Sequence, residues 1–242
     1  MTKRFLAAAV AATLAATLML SATPLSAQTA GSPPPAPPAA PPVAPTPAAA
    51  LPRVALTTSL GTIVIELETV RAPITATNFL RYVDQRKLDG TTFYRAMDLG
   101  RGYGLVQMGT RGNPQRTLRP IAHEPTSRTG LSHTDGTISL ARLAPGTGGG
   151  DFFITVGDLV SLDAQPAGSG GDPDGFAAFG RVVEGMDVVR AIMVAPTDPN
   201  LGEGVMRGQM IAAPVRITTA RRVAAPVTLP APTAAPTPPQ GQ

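Results

Sequence analysis

The sequence predicts a mainly β fold, a β-barrel with two helices packed on it. Two observations carry this. Short runs of β-branched and apolar residues recur through the middle of the chain, each bounded by Gly, Asp or Pro turn signals. Only two stretches show helical periodicity, and they lie far apart in sequence. Val54–Thr58 and Thr62–Leu67 open the fold as a hairpin turned at Ser59-Leu60-Gly61; Ile63, Ile65 and Leu67 repeat with period two, so one face is buried. Pro73 to Lys87 reads as a helix, with proline in its first turn and Ala76, Phe79, Leu80 and Val83 on one face, and Gly90 follows as a stop. Thr91–Arg95 and Leu105–Gly109 are strands separated by a flexible loop at Gly100, Gly102 and Gly104. Thr137–Ala141, Phe152–Val156 and Ala178–Val182 are further short strands. Glu184–Met193 is the second helix, with Met186, Val189, Ile192 and Met193 facing inward, and Val215–Thr219 is a closing strand.

The flanks do not belong to this fold. Residues 1–27 read as a secretory signal peptide: Lys3 and Arg4 precede an uncharged, alanine-rich run from Phe5 to Leu20, and Leu25-Ser26-Ala27 offers a small residue for cleavage. The run is shorter than the roughly 20 apolar residues that span a bilayer, so cleavage is expected rather than a retained anchor. A periplasmic or secreted location follows, with no stable membrane insertion after cleavage. Residues 28–50 are a Pro/Ala-rich linker that cannot bury a core, and residues 223–242 form a tail of the same composition. The span Leu51–Arg222 remains for a single domain.

Composition removes several chemistries. The chain has no cysteine, which excludes disulfides, a thiol nucleophile, a zinc–thiolate site and a lipidated N-terminal cysteine. Loss of Lys3 and Arg4 lowers the formal charge from +4 to +2, and the arginines are scattered. Nucleic-acid binding calls for a basic stripe interleaved with aromatic platforms, and there is no Trp. The two histidines, His123 and His133, lack metalloprotease spacing, so no metal and no cofactor are expected. Gly146–Gly150 lacks the Lys-Ser/Thr of a phosphate loop, and Ser132, Ser139 and Ser161 have no nucleophile-elbow context.

Five segments taken together are informative: Phe93-Tyr94-Arg95, Leu105–Gly109, Thr137–Arg142, Asp151–Ile154 and Phe176–Met186. Their combined pattern resembles the cyclophilin family of peptidyl-prolyl isomerases over almost all of Leu51–Arg222. The resemblance implies a closed eight-stranded β-barrel capped by two α-helices, acting as a monomer on proline-containing polypeptide clients, without cofactor. It carries the catalytic role to Arg95 and the substrate-anchoring amide to Gln107. Leu105, Phe153 and Leu162 line the apolar pocket, and the Ala141 backbone lies along the substrate. The chain also departs from the family pattern. Tyr94 replaces a His, a change expected to matter little. A short insertion leaves Gly104, or Tyr103 beside it, at a pocket Phe, and Phe176 takes the place of a pocket His. Arg142 replaces Asn, Asp151 replaces Gln and Ser161 replaces Trp. Two arrangements stay open for the new charges in the groove: Arg142 pairs with Asp151, or Asp151 draws Arg95 toward itself. Ser161 argues against tight cyclosporin binding. The function implied is isomerisation of X–Pro bonds in exported proteins. The alternative is a peptide-binding module of the same fold with weak or no catalysis.

Overall fold

The computed structural model describes residues 50–224; the expected signal peptide, the linker up to residue 49 and the tail beyond residue 224 lie outside them. Eight strands form a closed antiparallel ring. They are β1 (Arg53–Thr58), β2 (Gly61–Leu67), β3 (Thr92–Gly100), β4 (Tyr103–Gly109), β5 (Thr137–Leu140), β6 (Asp151–Val156), β7 (Ala177–Glu184) and a long final strand, Met210–Val223. A two-residue strand, β8 (Thr197–Asp198), hangs on the outer end of that final strand, β9. The order around the ring is β1-β2-β7-β5-β6-β4-β3-β9, and β9 closes it by pairing back onto β1. Closure removes the exposed edges that an open sheet would leave.

The helices are α1 (Pro73–Asp84), the single turn α2 (Thr126–Thr129) and α3 (Met186–Met193). α1 packs on β7 and β9, and α3 on β2, β3, β4 and β6. Pro73 occupies the first turn of α1 as expected. That helix ends three residues before the expected Lys87. Arg86 takes a left-handed conformation (φ 53°), and the amides of Arg86 and Lys87 donate back to Val83 and Tyr82. This is a Schellman termination without glycine. The N-terminus of α1 rests on the buried Glu124, whose carboxylate accepts from the amides of Ile74 and Thr75 at 3.2 and 2.6 Å.

Two further boundaries differ from expectation. The Gly100–Gly104 stretch is not a loop: β3 and β4 continue into a hairpin whose two-residue turn is Arg101-Gly102, with φ of 56° and 80°. Both turn residues are left-handed, the geometry that matches the twist of paired strands. The closing strand is far longer than Val215–Thr219, because its first part pairs with β3 and its last part, through Val223, with β1. Glu184 belongs to β7, and Gly185 (φ 85°) turns the chain into α3; a Cβ there would lie 2.3 Å from the Thr62 carbonyl oxygen.

Strand alternation fills the barrel with Leu56, Ile63, Ile65, Phe93, Val106, Met108, Phe152, Ile154 and Phe179, all essentially inaccessible. Phe152 is the hub: its ring meets Phe79 edge-on at 4.9 Å, Tyr82 at 5.7 Å and Phe179 at 5.8 Å. A second, smaller apolar cluster sits outside the barrel: Leu105, Phe153 and Leu159 at its centre, with Met97, Ala141, Leu162 and Phe176 around them.

Candidate active site

One backbone irregularity positions the polar half of the site. Along β3, Phe93 pairs with Met108 and Arg95 with Gln107, so Tyr94 is an extra, bulged residue. Without the bulge, Tyr94 and Arg95 would point to opposite faces. With it, Phe93 and Ala96 stay in the core while Tyr94 and Arg95 both reach Gln107 on β4. Beyond them, Met97 resumes the alternation and faces the apolar cluster.

The resulting cleft is a cavity of about 230 Å³ lined by Arg95, Met97, Leu105, Gln107, Ala141, Arg142, Phe153, Leu162 and Phe176. Of the nine residues expected from sequence, eight line it. Asp151 does not, and Met97 is the added member. Its signal was the period-two spacing from Arg95, hidden by reading the glycines downstream as a loop. A larger cavity of about 590 Å³ shares no lining residue with this cleft and is lined by Tyr94, Arg111, Glu203, Met206, Met210 and neighbours. It lacks the combination of a fixed cation, an amide and an apolar ring pocket.

Arg95 is half-buried, and burial lowers its pKa from the ordinary arginine value. Its Nη1 donates to Gln107 Oε1 at 2.8 Å, and its Nε and Nη2 donate to Gln209 Oε1 at 2.8 and 2.6 Å. Nη2 also approaches Met97 Sδ at 3.7 Å. Gln209 was not foreseen, because it lies in an irregular segment just before β9 and belongs to none of the five informative segments.

From Gln107 the network continues away from Arg95. Gln107 Nε2 donates to the Tyr94 hydroxyl at 2.7 Å, and that hydroxyl donates to Asp151 Oδ1 at 3.2 Å. The same carboxylate oxygen accepts from the Arg111 amide at 2.9 Å, while the Arg111 guanidinium lies 5.0 Å over the Tyr94 ring. Neither expected pairing of Asp151 forms. The tyrosine hydroxyl, at the position where the family has His, takes up the carboxylate in place of an arginine. Burial, reinforced by Asp151, pushes the Tyr94 phenol well above its usual range and keeps it a donor.

Burial also raises the Asp151 pKa above the ordinary 3.8, against its hydrogen bonds from Arg111, Tyr94 and Gly112. A carboxyl with a raised folded value is worse off ionised in the native state than in the unfolded chain. That deficit is present at neutral pH and is relieved as pH falls through the folded value. Asp151→Asn keeps the acceptor oxygen for Tyr94 and Arg111. It is expected to melt above the wild type at pH 7, with the gap closing as pH approaches 4; melting curves at the two pH values test this.

Arg142 turns away from Asp151. It donates to the Gly175 carbonyl through Nε at 2.9 Å and to Asp172 Oδ2 at 2.7 Å, and its guanidinium lies 5.1 Å over the Phe176 ring. Its role is to pin the end of the 163–175 loop so that Phe176 stands edge-on to Phe153, 5.4 Å between ring centres. The Phe176 amide adds a hydrogen bond to the Leu162 carbonyl at 2.8 Å. The floor ring, Phe153, is stacked on the buried His133 at 5.9 Å. His133 Nδ1 meets Asp163 Oδ1 at 2.5 Å and its Nε2 meets Ser139 Oγ at 2.9 Å. The Ser139-His133-Asp163 order resembles a nucleophilic triad, but Ser139 and His133 are wholly inaccessible, so the set braces the floor. Burial lowers the His133 pKa, opposed by Asp163.

The other departures settle simply. A side chain at Gly104 would meet the Met97 carbonyl oxygen at 2.2 Å, so no ring fits there; Tyr103 packs over Gly157 instead of lining the cleft. Ser161 is exposed. The Ala141 amide is committed to the Asp151 carbonyl at 2.9 Å.

Comparison with known proteins identifies the family. Residues 53–222 match the family described as "Cyclophilin type peptidyl-prolyl cis-trans isomerase/CLD". A peptidyl-prolyl cis-trans isomerase of Acinetobacter baylyi is 37% identical over 154 residues, covering 62% of this chain and 76% of that protein. One from Streptomyces antibioticus is 39% identical over 153 residues, covering 62% of this chain and 87% of that protein. Among solved structures, a cyclophilin type isomerase of Cryptosporidium parvum superposes with a TM-score of 0.58 at 20% identity, covering 73% of this chain and 99% of that one. The same Cryptosporidium protein has been crystallised in the presence of the dipeptide Ala-Pro, and that structure superposes with a TM-score of 0.57. With the family matched across the whole barrel and the cleft lined by an arginine, an amide and an apolar ring pocket, this chain belongs to the cyclophilin-type peptidyl-prolyl cis-trans isomerases.

Proposed function

We propose that this protein is an exported prolyl isomerase that accelerates rotation about X–Pro bonds in exported polypeptides, with Arg95 as its catalytic donor. Amide resonance sets the rotation barrier at about 18–20 kcal/mol. An isomerase must favour the twisted amide, in which resonance is lost and the proline nitrogen gains a usable lone pair. The observation that carries the reading is the state of Arg95. It is a permanent cation, half-buried, held on two sides, and placed at the rim of an apolar pocket. Of the five N–H groups of a guanidinium, Nε, both of Nη2 and one of Nη1 are directed at Gln209, Met97 and Gln107. The second Nη1 N–H is left for the client amide. Phe153, Leu105, Met97, Leu162 and Phe176 receive the proline ring. Gln107 and the carbonyl of Ala141 orient the chain around it.

The test is catalysed cis–trans exchange of an Ala-Pro peptide by NMR with the full-length protein, beside a binding titration on the same sample. Acceleration over the uncatalysed rate is expected. Binding without acceleration would overturn the isomerase reading in favour of a peptide-recognition module. Export rests on Lys3, Arg4, the alanine-rich run and Ala27. Protein recovered from outside the cytoplasm is expected to begin after residue 27 on N-terminal sequencing. Recovery only in the cytoplasm with Met1 retained would refute export.

A further inference from the structure

We propose that Gln209 is the positioning residue of Arg95, and that its neutrality matters as much as its hydrogen bonds. The inference rests on the reading of Arg95 as the catalytic donor. Gln209 reaches Arg95 from the irregular segment between α3 and β9, remote in sequence from every residue that lines the cleft. Its backbone is fixed there: its carbonyl accepts from the Ala96 amide at 2.9 Å. Its side chain is fixed as well. Nε2 donates to the Val205 carbonyl at 2.8 Å, which leaves Oε1 as the end presented to Arg95. That oxygen accepts both Nε and Nη2 of the guanidinium. A fork held at two nitrogens cannot swing about its long stem, and Gln107 holds the third nitrogen.

Both acceptors are neutral amides. Among the described residues no carboxylate lies within ion-pairing distance of Arg95, although most other arginine contacts with acids here are direct pairs. The nearest acid in the network, Asp151, is separated from Arg95 by Gln107 and Tyr94. A carboxylate in place of Gln209 could still accept from both guanidinium nitrogens, although it would give up the hydrogen bond to the Val205 carbonyl. It would also cancel the positive field that the twisted amide uses, because an ion pair in a half-buried site is strongly coupled. Glutamine supplies the geometry without that cancellation. On this account the segment from Thr197 to Met210 serves the reaction as a strut and is not a passive connection.

The experiment uses the full-length protein and Ala-Pro exchange, with kcat and KM separated. Gln209→Met keeps the length and removes the acceptor; Gln209→Glu keeps the acceptor toward Arg95, adds charge and gives up the donor to Val205. Each is made alone and in an Arg95→Ala background, with melting temperatures measured alongside. Each single variant is expected to lose about 10- to 100-fold in kcat, with KM changed by less than about twofold. Neither should reduce the rate further once Arg95 is gone. A Gln209→Met protein with wild-type kcat overturns the positioning role. A Gln209→Glu protein with wild-type kcat overturns the requirement for neutrality, and the Glu variant still decides if the Met variant does not fold. Losses that persist undiminished in the Arg95→Ala background would make Gln209 merely structural. If Arg95→Ala itself leaves kcat unchanged, it is the assignment of Arg95 that fails.

Discussion

Arg95→Ala is expected to lower kcat/KM for Ala-Pro exchange by about 10²- to 10³-fold, the usual effect of removing one preorganised donor from a transition state. The loss should fall mainly on kcat, because the proline ring is held by apolar residues that the substitution leaves in place. Folding should survive. Arg95 makes no ion pair among the described residues, and Gln107 and Gln209, whose amide oxygens it abandons, each line a surface cavity that water can enter. Exchange spectroscopy for rate, with a melting curve as control, decides the matter. A variant that turns over at the wild-type rate would remove Arg95 from the chemistry.

The second large effect separates two adjacent phenylalanines. Phe152→Ala is expected to cost about 3–5 kcal/mol of stability, because it empties the centre of a fully buried aromatic cluster. Phe153→Ala should cost less, since its ring belongs to the small outer cluster open to the cleft, while raising KM for a proline peptide. Denaturant melts and peptide titrations on both variants test the pair. If the two stability losses are equal, or if Phe152→Ala alone weakens peptide binding, the assignment of the two faces of β6 is reversed.

The opening hairpin is legible in the sequence, because Ile63, Ile65 and Leu67 repeat with period two. Along Phe152–Val156 every residue is buried, so the sequence marks a strand there and the folded barrel separates its two faces. Pro73 marked the start of α1 because the effect is local. Where conformation depends on partners, residue type alone does not reveal it. Arg86 ends α1 in a left-handed turn that its residue type does not advertise. Arg101-Gly102 makes a tight hairpin inside what glycine content alone marks as a loop. β9 extends to 14 residues because β1 and β3 are both there to pair with it.

The site divides along the same line. Arg95, Gln107, Phe153 and the apolar wall were legible because their residue types and order along successive strands matched a known family. The destinations of the added charges were not. Arg142 could find Asp172, Gly175 and Phe176 only once the 163–175 loop had folded over it. Asp151 meets a hydroxyl instead of a guanidinium because the bulge at Tyr94 turns that ring toward Gln107 and Asp151. Gln209 has no sequence signal at all: a neutral side chain in an irregular segment becomes a holder of the arginine only through closure of the barrel. Periodicity and proline placement are properties of neighbouring residues and the family pattern of residue types in order, so the barrel class and the period-two core face of the opening hairpin are legible without the fold, and the resemblance points to the arginine. The partners of each charge come from residues far apart in the chain, 114 positions for Arg95 and Gln209 and 138 for Arg222 and Asp84, and they meet only once the barrel has closed.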